Sequence, residues 1–287
     1  MIREDFFKWE NNRKLLPNFA MPSPLPLSVF IITKNEEERI GAAIASVADW
    51  VAEVIVVDSG STDRTLEIAK ENGATRILHH DWQGYGQQKH YAEDACAHDW
   101  LLNIDADEVV SPELRAQICE IFADGKTPEL DGYFFPIRFR FAHEKKSHPW
   151  AYANSPVRLY DRRRARFREH SVHDSVVPFD DANWRKGKLS GEVFHLSFLS
   201  LGHFADKLNN YSSMQAEDMW RKGRKPNPLR VLAEPFLAFF KSYILRRHFV
   251  HGLHGVSYSA IFAAIRMMRF AKARELFLLR GDPPKQS

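Results

Sequence analysis

Cysteine is scarce in this sequence: only Cys96 and Cys119 occur among 287 residues. Two isolated cysteines exclude a disulfide-stapled scaffold and a cysteine-rich metal centre, and they suit a reducing cytoplasm. We expect both thiols to be buried inside predicted helices. Long uninterrupted apolar runs are missing too, which argues against a transmembrane helix. The charged, aromatic start of the chain does not have the pattern of a signal peptide.

The chain also has almost no net charge, because it contains 40 basic and 37 acidic side chains. This balance gives no reason to expect a nucleic-acid partner. From Arg221 onward, however, the sequence contains 14 basic residues and only three acidic ones. Arg266, Arg269 and Lys272 recur every third residue and predict a basic amphipathic helix. Such a helix either packs with a solvated basic face or lies on an anionic membrane. We favour the membrane, with the protein peripheral on the inner face of the cytoplasmic membrane.

Short apolar runs alternate with segments of helical periodicity from Leu27 to Ile104. Strand, helix, strand with short connections is typical of an α/β domain whose parallel sheet is covered on both faces. We predict an N-terminal extension over 1–26, an α/β domain over 27–215 and a basic, amphipathic helical extension over 216–287. The predicted strands of the domain are Leu27–Ile32, Val54–Val57, Thr75–Leu78, Trp100–Ile104, Tyr133–Phe141, Phe167–Val177 and Glu192–Phe198. The predicted helices between them are Glu36–Ala48, a helix capped by Thr62 that ends at Asn72, and Gln87–Ala97.

Polar clusters follow three of these strands, at 33–36, 58–61 and 105–108. Ligands bind at the carboxyl ends of the strands in such sheets, so we expect the clusters to meet in one crevice. Asp105 and Asp107 would repel each other there unless a cation is bound. A hard ion such as Mg²⁺ or Mn²⁺ takes oxygen ligands and bridges to substrate phosphates. The alternative is a solvated acidic turn that caps the following helix.

These clusters carry a family resemblance. Ser28-Val-Phe-Ile-Ile-Thr-Lys-Asn-Glu36, Val56-Val-Asp-Ser-Gly-Ser-Thr-Asp63 and Ile104-Asp-Ala-Asp-Glu108 resemble the successive nucleotide-binding motifs of family 2 glycosyltransferases. Gly84–Lys89, Arg158–Tyr160, Val172–Asp174 and His195–Ser197 resemble further motifs of the lipopolysaccharide core β-1,4-glucosyltransferase-like branch. The resemblance covers about Leu27 to Tyr211. It implies the GT-A fold, a Rossmann-like and mainly parallel sheet.

The resemblance also implies a donor site for a nucleotide-sugar, with UDP-glucose as the leading donor. Asp58 would hold the base, Asp105 would lie near the ribose and the metal, and Asp107 would bind the metal. His195 would be a further metal ligand; its alternative role is that of an ordinary core histidine. Lys89 would face the diphosphate or else be a solvated charge, and the family's Asn after it is His90 here. The loop that flanks the nucleotide would contain Thr33, Asn35 and Glu36.

An inverting transfer needs a base that takes the proton of the acceptor hydroxyl. The resemblance places Asp174 in this role, where the branch has Glu, and His173 beside it to orient it or touch substrate. The substitutes are Glu169, Asp161 and Glu192. The implied reaction moves a hexose onto a lipopolysaccharide-core-like or other glycolipid saccharide.

Three other functions compete with this one. A Mg²⁺-dependent phosphohydrolase would use Asp105 as nucleophile and Asp107 as acid, although Glu108 stands where that chemistry wants Gly. A non-catalytic sugar- or membrane-binding module would keep the scaffold alone. A nucleotidyltransferase would need a Gly-rich phosphate loop after the first strand, which the sequence lacks.

Overall fold

The computed structural model describes residues 24–141, 144, 147–148, 150–168, 175–196 and 200–283. The chain divides into two compact units. The first unit consists of the described residues up to Ile137 and of Asn154–His195, and the second of Arg138–Ala153 and the chain from Leu196. The second unit thus combines a short earlier segment with the C-terminal part of the chain. The predicted domain bounds stay a prediction.

The first unit, the α/β unit, is built on a seven-stranded sheet. In chain order, the strands of the described residues are β1 (Leu25–Thr33), β2 (Val51–Asp58), β3 (Arg76–His79), β4 (Trp100–Asn103), β5 (Glu108–Val110), β6 (Gly132–Phe134), β7 (Ile137–Phe139), β8 (Ala153–Asn154), β9 (Val157–Asp161), β10 (Ala165–Phe167), β11 (Val176–Pro178), β12 (Lys186–Lys188) and β13 (Val193–His195). The order within the seven-stranded sheet is β12-β6-β9-β4-β1-β2-β3. Strands β1 to β4 pair in parallel and β9 runs antiparallel between β4 and β6, so six of the seven strands share one direction. This confirms the predicted mainly parallel α/β fold.

The central strands are apolar on both faces because helices cover both sides of the sheet. The helices of this unit are α1 (Ile40–Ala45), α2 (Thr65–Glu71), α3 (Tyr85–Ala95) and α4 (Pro112–Ile121). Val29 and Ile31 belong to a core cluster that includes residues of α1 and α4, whereas Phe30 and Ile32 pack on the opposite side with residues around α3. Cys96 is buried on that second side, as predicted, but Cys119 in α4 is only partly buried.

Three local predictions differ from the structure. Thr62 does not cap α2; the helix begins at Thr65, whose backbone N–H donates to the Asp63 carboxylate at 3.0 Å. The predicted strand over 133–141 is two strands, β6 and β7, separated by Pro136, which has no N–H for a ladder. The predicted strand over 167–177 is likewise two strands, because β10 and β11 pair antiparallel with each other.

The second unit, the helical unit, contains α5 (Leu201–Arg221), α6 (Pro228–Phe240) and α7 (Gly252–Arg280). Arg266 and Arg269 of α7 both bind Glu234 of α6, with N–O distances of 2.6 and 3.2 Å. Lys272 donates to Asn209 of α5 at 2.6 Å. The expectation that this row of cations faces lipid is therefore wrong, since the row joins α7 to its neighbours. Within the residues that the structure describes, no helix has both the length and the apolarity needed to span a bilayer.

Candidate active site

The loops after β1 and β2 are joined by their own polar groups at the carboxyl edge of the sheet. The backbone N–H of Asn35 donates to Ser61 Oγ at 2.9 Å, and Asn35 Oδ1 accepts from the backbone N–H of Thr62 at 2.8 Å. Asn35 has φ of 54°, a left-handed conformation that Asn adopts more readily than most residues. Thr65 Oγ1 accepts from the backbone N–H of Glu36 at 2.7 Å. The first two predicted polar clusters thus meet.

Asp58, the predicted base-binding residue, lies buried at the end of β2. Its carboxylate accepts from the backbone N–H of Gly60 at 2.9 Å and from Ser61 Oγ at 2.5 Å. Gly60 has φ of 90°, which favours glycine at this tight turn. In the structure, Asp58 therefore shapes its own loop, and its contact with a base stays a prediction.

Two consecutive residues of α3 connect the helix to the strand ends. Gln88 Nε2 donates to Ser59 Oγ at 3.1 Å and to the carbonyl of His80 at 2.9 Å. Lys89 Nζ lies 2.9 Å from Asp105 Oδ1, and its side chain is 1% exposed. The ammonium also lies 5.0 Å from the centre of the Phe167 ring. Lys89 is thus a buried site residue, and the alternative of a solvated helix-face charge is wrong.

Asp105 is held by two cations of the protein. Arg158 Nη2 of β9 lies 3.2 Å from Asp105 Oδ2, while Lys89 takes the other oxygen. Burial alone would raise the pKa of Asp105, but Lys89 and Arg158 outweigh it and hold that pKa below its usual range. Arg158 also donates to Asn103 Oδ1. The repulsion expected between the two aspartates is therefore relieved in part by the chain itself.

Asp107 lies next to His195, as a metal pair would. His195 Nε2 is 3.2 Å from Asp107 Oδ2, because β13 pairs antiparallel with β5 and places His195 opposite Glu108. Its side chain is 37% exposed, so His195 is only partly buried. Burial lowers the pKa of His195, but the Asp107 carboxylate outweighs burial and raises that pKa overall.

The residues present fit a divalent cation that arrives with a diphosphate. Asp107 and His195 offer one oxygen and one nitrogen ligand, and the described residues contain no cluster of three or more acidic, His or Cys side chains able to hold a metal alone. Mg²⁺ and Mn²⁺ sites of this kind take their remaining ligands from substrate phosphates and water. Thr33 Oγ1 is buried without a hydrogen-bond partner among the described residues, which leaves a polar group for a ligand at the end of β1.

Two charged residues beside the aspartates, Arg39 and Glu108, were assigned no role by the sequence analysis. Arg39 is buried and binds Glu36 at 2.5 Å and Asp107 at 3.5 Å. The spacing of three residues between Glu36 and Arg39 was the available signal. Glu108 is buried and accepts from the backbone N–H of Asp105 at 2.9 Å. Burial and the charge of Asp105 raise the pKa of Glu108.

Asp174, the predicted base, lies outside the described residues, as do its neighbour His173 and the substitute Glu169. Asp161 is paired with Trp100, the first residue of β4, so it lies at the opposite end of that strand from the site. It also binds Arg163 at 2.7 Å. Glu192 directly precedes β13, three residues before His195. Asp161 is therefore not placed to act as the base, whereas the substitute role of Glu192 stays a prediction.

Comparisons with known proteins fit this geometry. A family model described as glycosyl transferase family 2 matches residues 28–179. An uncharacterised glycosyltransferase of Rickettsia typhi is 42% identical over 258 residues, which are 88% of this chain and 88% of that protein. The lipopolysaccharide core biosynthesis glycosyltransferase LpsC of Rhizobium meliloti is 29% identical, over 90% of this chain and 96% of that one.

Two solved structures are also similar. Glucosyl-3-phosphoglycerate synthase from Mycobacterium tuberculosis, crystallised with Mn²⁺, UDP and phosphoglyceric acid, is 26% identical with a TM-score of 0.34. That match covers 40% of this chain and 44% of the synthase, so it spans less than half of either protein. Residues 1–349 of S. aureus TarS are 14% identical with a TM-score of 0.44, over 88% of this chain and 91% of that one.

A mainly parallel α/β sheet that gathers carboxylates, a histidine and cations at its carboxyl edge defines an enzyme of the nucleotide-binding α/β class. The family match narrows that class. The chain belongs to glycosyl transferase family 2 and is a glycosyltransferase. Membership decides against the phosphohydrolase, the nucleotidyltransferase and the non-catalytic module. It implies a nucleotide-sugar donor and an acceptor.

Proposed function

We propose that this glycosyltransferase transfers a hexose from UDP-glucose to a saccharide of a lipopolysaccharide-core-like glycolipid, with inversion at the transferred carbon. The observation that carries the proposal is the pair formed by Asp107 and His195 at 3.2 Å, beside an Asp105 that Lys89 and Arg158 already neutralise. This arrangement leaves Asp107 and His195 to bind a metal and Asp105 to meet the donor.

The leaving group of such a transfer is a nucleoside diphosphate, which gains negative charge as the glycosidic bond breaks. A divalent metal at Asp107 and His195 would neutralise that charge. Lys89 and Arg158 keep Asp105 ionised and fixed in position, because both of its oxygens contact a cation. The hydroxyl of Thr33, buried and unsatisfied among the described residues, is available to the nucleotide. Asp58 and the loop of Asn35 and Glu36 would enclose the base and ribose.

The acceptor hydroxyl would lose its proton to Asp174, oriented by His173, on the face of the sugar away from the diphosphate. Inversion follows when one displacement joins the acceptor oxygen to the anomeric carbon and releases UDP. Asp174 is the candidate because the resemblance of Val172–Asp174 to a family motif supports it, and the substitute Asp161 lies at the far end of β4.

The similarity to LpsC, whose name assigns it to lipopolysaccharide core biosynthesis, supports a glycolipid acceptor. An acceptor of that class would bring the enzyme to the inner face of the cytoplasmic membrane. The motif resemblance around Asp58 and Asp105 supports UDP-glucose as the donor.

A calorimetric titration of UDP into the full chain tests the donor site. We expect UDP to bind with Mn²⁺, and we expect EDTA or Asp107→Asn to weaken binding by about tenfold or more, because the metal bridges protein and diphosphate. Asp49→Asn is the matched control, since Asp49 binds Arg115 at 3.0 Å before the start of β2, at the other edge of the sheet. A wild-type chain that binds no UDP with Mn²⁺ present would refute the proposed donor. UDP-sugars follow in the same assay.

A further inference from the structure

Helix α6 exposes apolar side chains where a helix in water exposes polar ones. Leu229, Leu232, Phe236, Leu237 and Phe240 are between 55% and 78% exposed. At 100° per residue they form one stripe about 140° wide, and the only other residue within it is Ala233. We call these five residues the outer apolar face. Exposed apolar stripes of this size mark interaction surfaces on proteins.

The inward side of α6 carries the charge. Glu234 is 6% exposed and binds Arg266 and Arg269 of α7 at 2.6 and 3.2 Å. Ala238 and, just beyond the helix, Ser242 are the other buried residues on this side. The polarity of α6 is therefore inverted relative to a helix that packs on a core and faces water.

Cations border the outer apolar face. Helical spacing places Arg230 and Lys241 along one edge of the stripe, and both are exposed. From residue 222 to residue 274 the chain has eleven basic residues and one acidic residue, the buried Glu234. The surface around the apolar face consequently carries positive charge with no exposed carboxylate from this segment.

This charge distinguishes between two occupants of the face. A second copy of the chain would bring an equally basic surface against it, and like charges would repel. A bilayer with anionic lipids offers hydrocarbon to the leucines and phenylalanines and phosphates to Arg230 and Lys241. Long basic side chains commonly extend to the headgroups in this way.

We propose that α6 lies in the headgroup region of an anionic membrane, with its outer apolar face inserted among the acyl chains. The contact is made by the side of the helix, parallel to the membrane plane. The proposal does not depend on the identity of the donor or on the metal, since it concerns the helical unit alone. It assigns membrane contact to α6 rather than to the basic row of α7.

Sedimentation of the full chain with lipid vesicles tests this surface. We expect the chain to sediment with vesicles of mixed phosphatidylglycerol and phosphatidylethanolamine and to bind pure phosphatidylcholine more weakly. The double variant Leu232→Ser/Phe236→Ser should lower the partition coefficient by about tenfold or more, because two large apolar side chains no longer enter the membrane. Lys241→Gln should weaken binding to the anionic vesicles alone.

The matched control is Leu278→Ser/Leu279→Ser, because these leucines are 76% and 77% exposed and lie near the end of α7. Equal loss in both double variants, no sedimentation of the wild type with anionic vesicles, or equal binding to phosphatidylcholine would each overturn the proposal. Ultracentrifugation without lipid is the second readout. A dimer that the Leu232→Ser/Phe236→Ser variant abolishes would assign the face to a second copy instead. UDP titration of every variant separates loss of membrane contact from loss of the donor site.

Discussion

Lys89→Met and Asp105→Asn, made singly and together, measure how strongly the buried ion pair supports the site. Lys89→Met removes a charge with little change in shape. Asp105→Asn keeps the shape of the side chain and removes the negative charge between Lys89 and Arg158. A double-mutant cycle then isolates the energy of the pair from the effects of either change alone.

The structure sets the expected magnitude. Breaking a fully buried pair by removing one partner costs about 3–5 kcal/mol, whereas exposed pairs contribute about 0–1 kcal/mol. Lys89 is 1% exposed but Asp105 is 33% exposed, and Arg158 still neutralises Asp105 when Lys89 is gone. We therefore expect about 2 kcal/mol of lost unfolding free energy for Lys89→Met. For Asp105→Asn, which leaves the buried ammonium without this carboxylate, we expect about 3 kcal/mol. The double variant should lose no more than about 3 kcal/mol, which is a coupling of about 2 kcal/mol.

Urea unfolding followed by fluorescence supplies the free energies. The matched control is the exposed pair formed by Arg64 and Glu67, which is similarly close at 2.8 Å but has side chains 58% and 55% exposed. Its cycle, with Arg64→Met and Glu67→Gln, should give no measurable coupling, because water screens the two exposed charges from each other. If Lys89→Met and Asp105→Asn add within about 0.5 kcal/mol, the ion pair does not hold Asp105 and the account of the site is refuted.

Three further outcomes are expected. Gly255→Ala should lower the unfolding free energy by about 3 kcal/mol or more, because its Cβ would lie 1.8 Å from the His248 carbonyl oxygen. Gly202→Ala is the control, because the nearest atom to its added Cβ would lie 3.7 Å away. A urea midpoint lowered equally in both variants would contradict the predicted clash at Gly255. Burial raises the pKa of Glu53, but hydrogen bonds from Ala97 and Ser28 and the charge of Arg76 outweigh it and lower that pKa below 4.5. Ionised Glu53 therefore stabilises the fold at any pH above the pKa that this group has in the unfolded chain. The unfolding free energy lost in Glu53→Gln should shrink as the pH falls below about 4.5. A free-energy loss that stays constant between pH of about 7 and about 4 would count against this. Burial raises the pKa of Cys96 to about 12, so in a Cys119→Ser chain a thiol reagent at pH of about 8 should label Cys96 only after unfolding. Rapid labelling of that chain in its native state would show the Cys96 thiol to be accessible.

The α/β core was predictable from the sequence because buried parallel strands are continuous apolar runs. Val29 to Ile32 are buried on both faces of β1, and the polar residues that end such a run mark the ligand edge of the sheet. Local sequence therefore indicated Thr33, Asp58 and Asp105 together. The family resemblance named Asp107 and His195 individually as metal ligands, and that role stays a prediction.

Contacts between distant strands could not be predicted in the same way. Arg158 reaches Asp105 because β9 enters the sheet antiparallel beside β4, and nothing in the residues around Arg158 specifies that neighbour. His195 meets Asp107 through the register of β13 on β5, which is set by pairing across 88 positions of chain. Which side of α6 is exposed could not be predicted from the sequence either. The sequence shows the apolar residues of α6, but the side that faces outward depends on where α7 places Arg266 and Arg269.

The two loops that Asn35 fastens to Ser61 and Thr62 reach their final shape when the chain folds, before a nucleotide arrives. A loop that must order itself around a ligand loses about 1–2 kcal/mol of conformational entropy for each residue it fixes. Here that entropy is lost when the chain folds, so the donor binds to loops that are already ordered. The donor can therefore bind rapidly without binding tightly, and the nucleotide product can dissociate without any reordering of the loops.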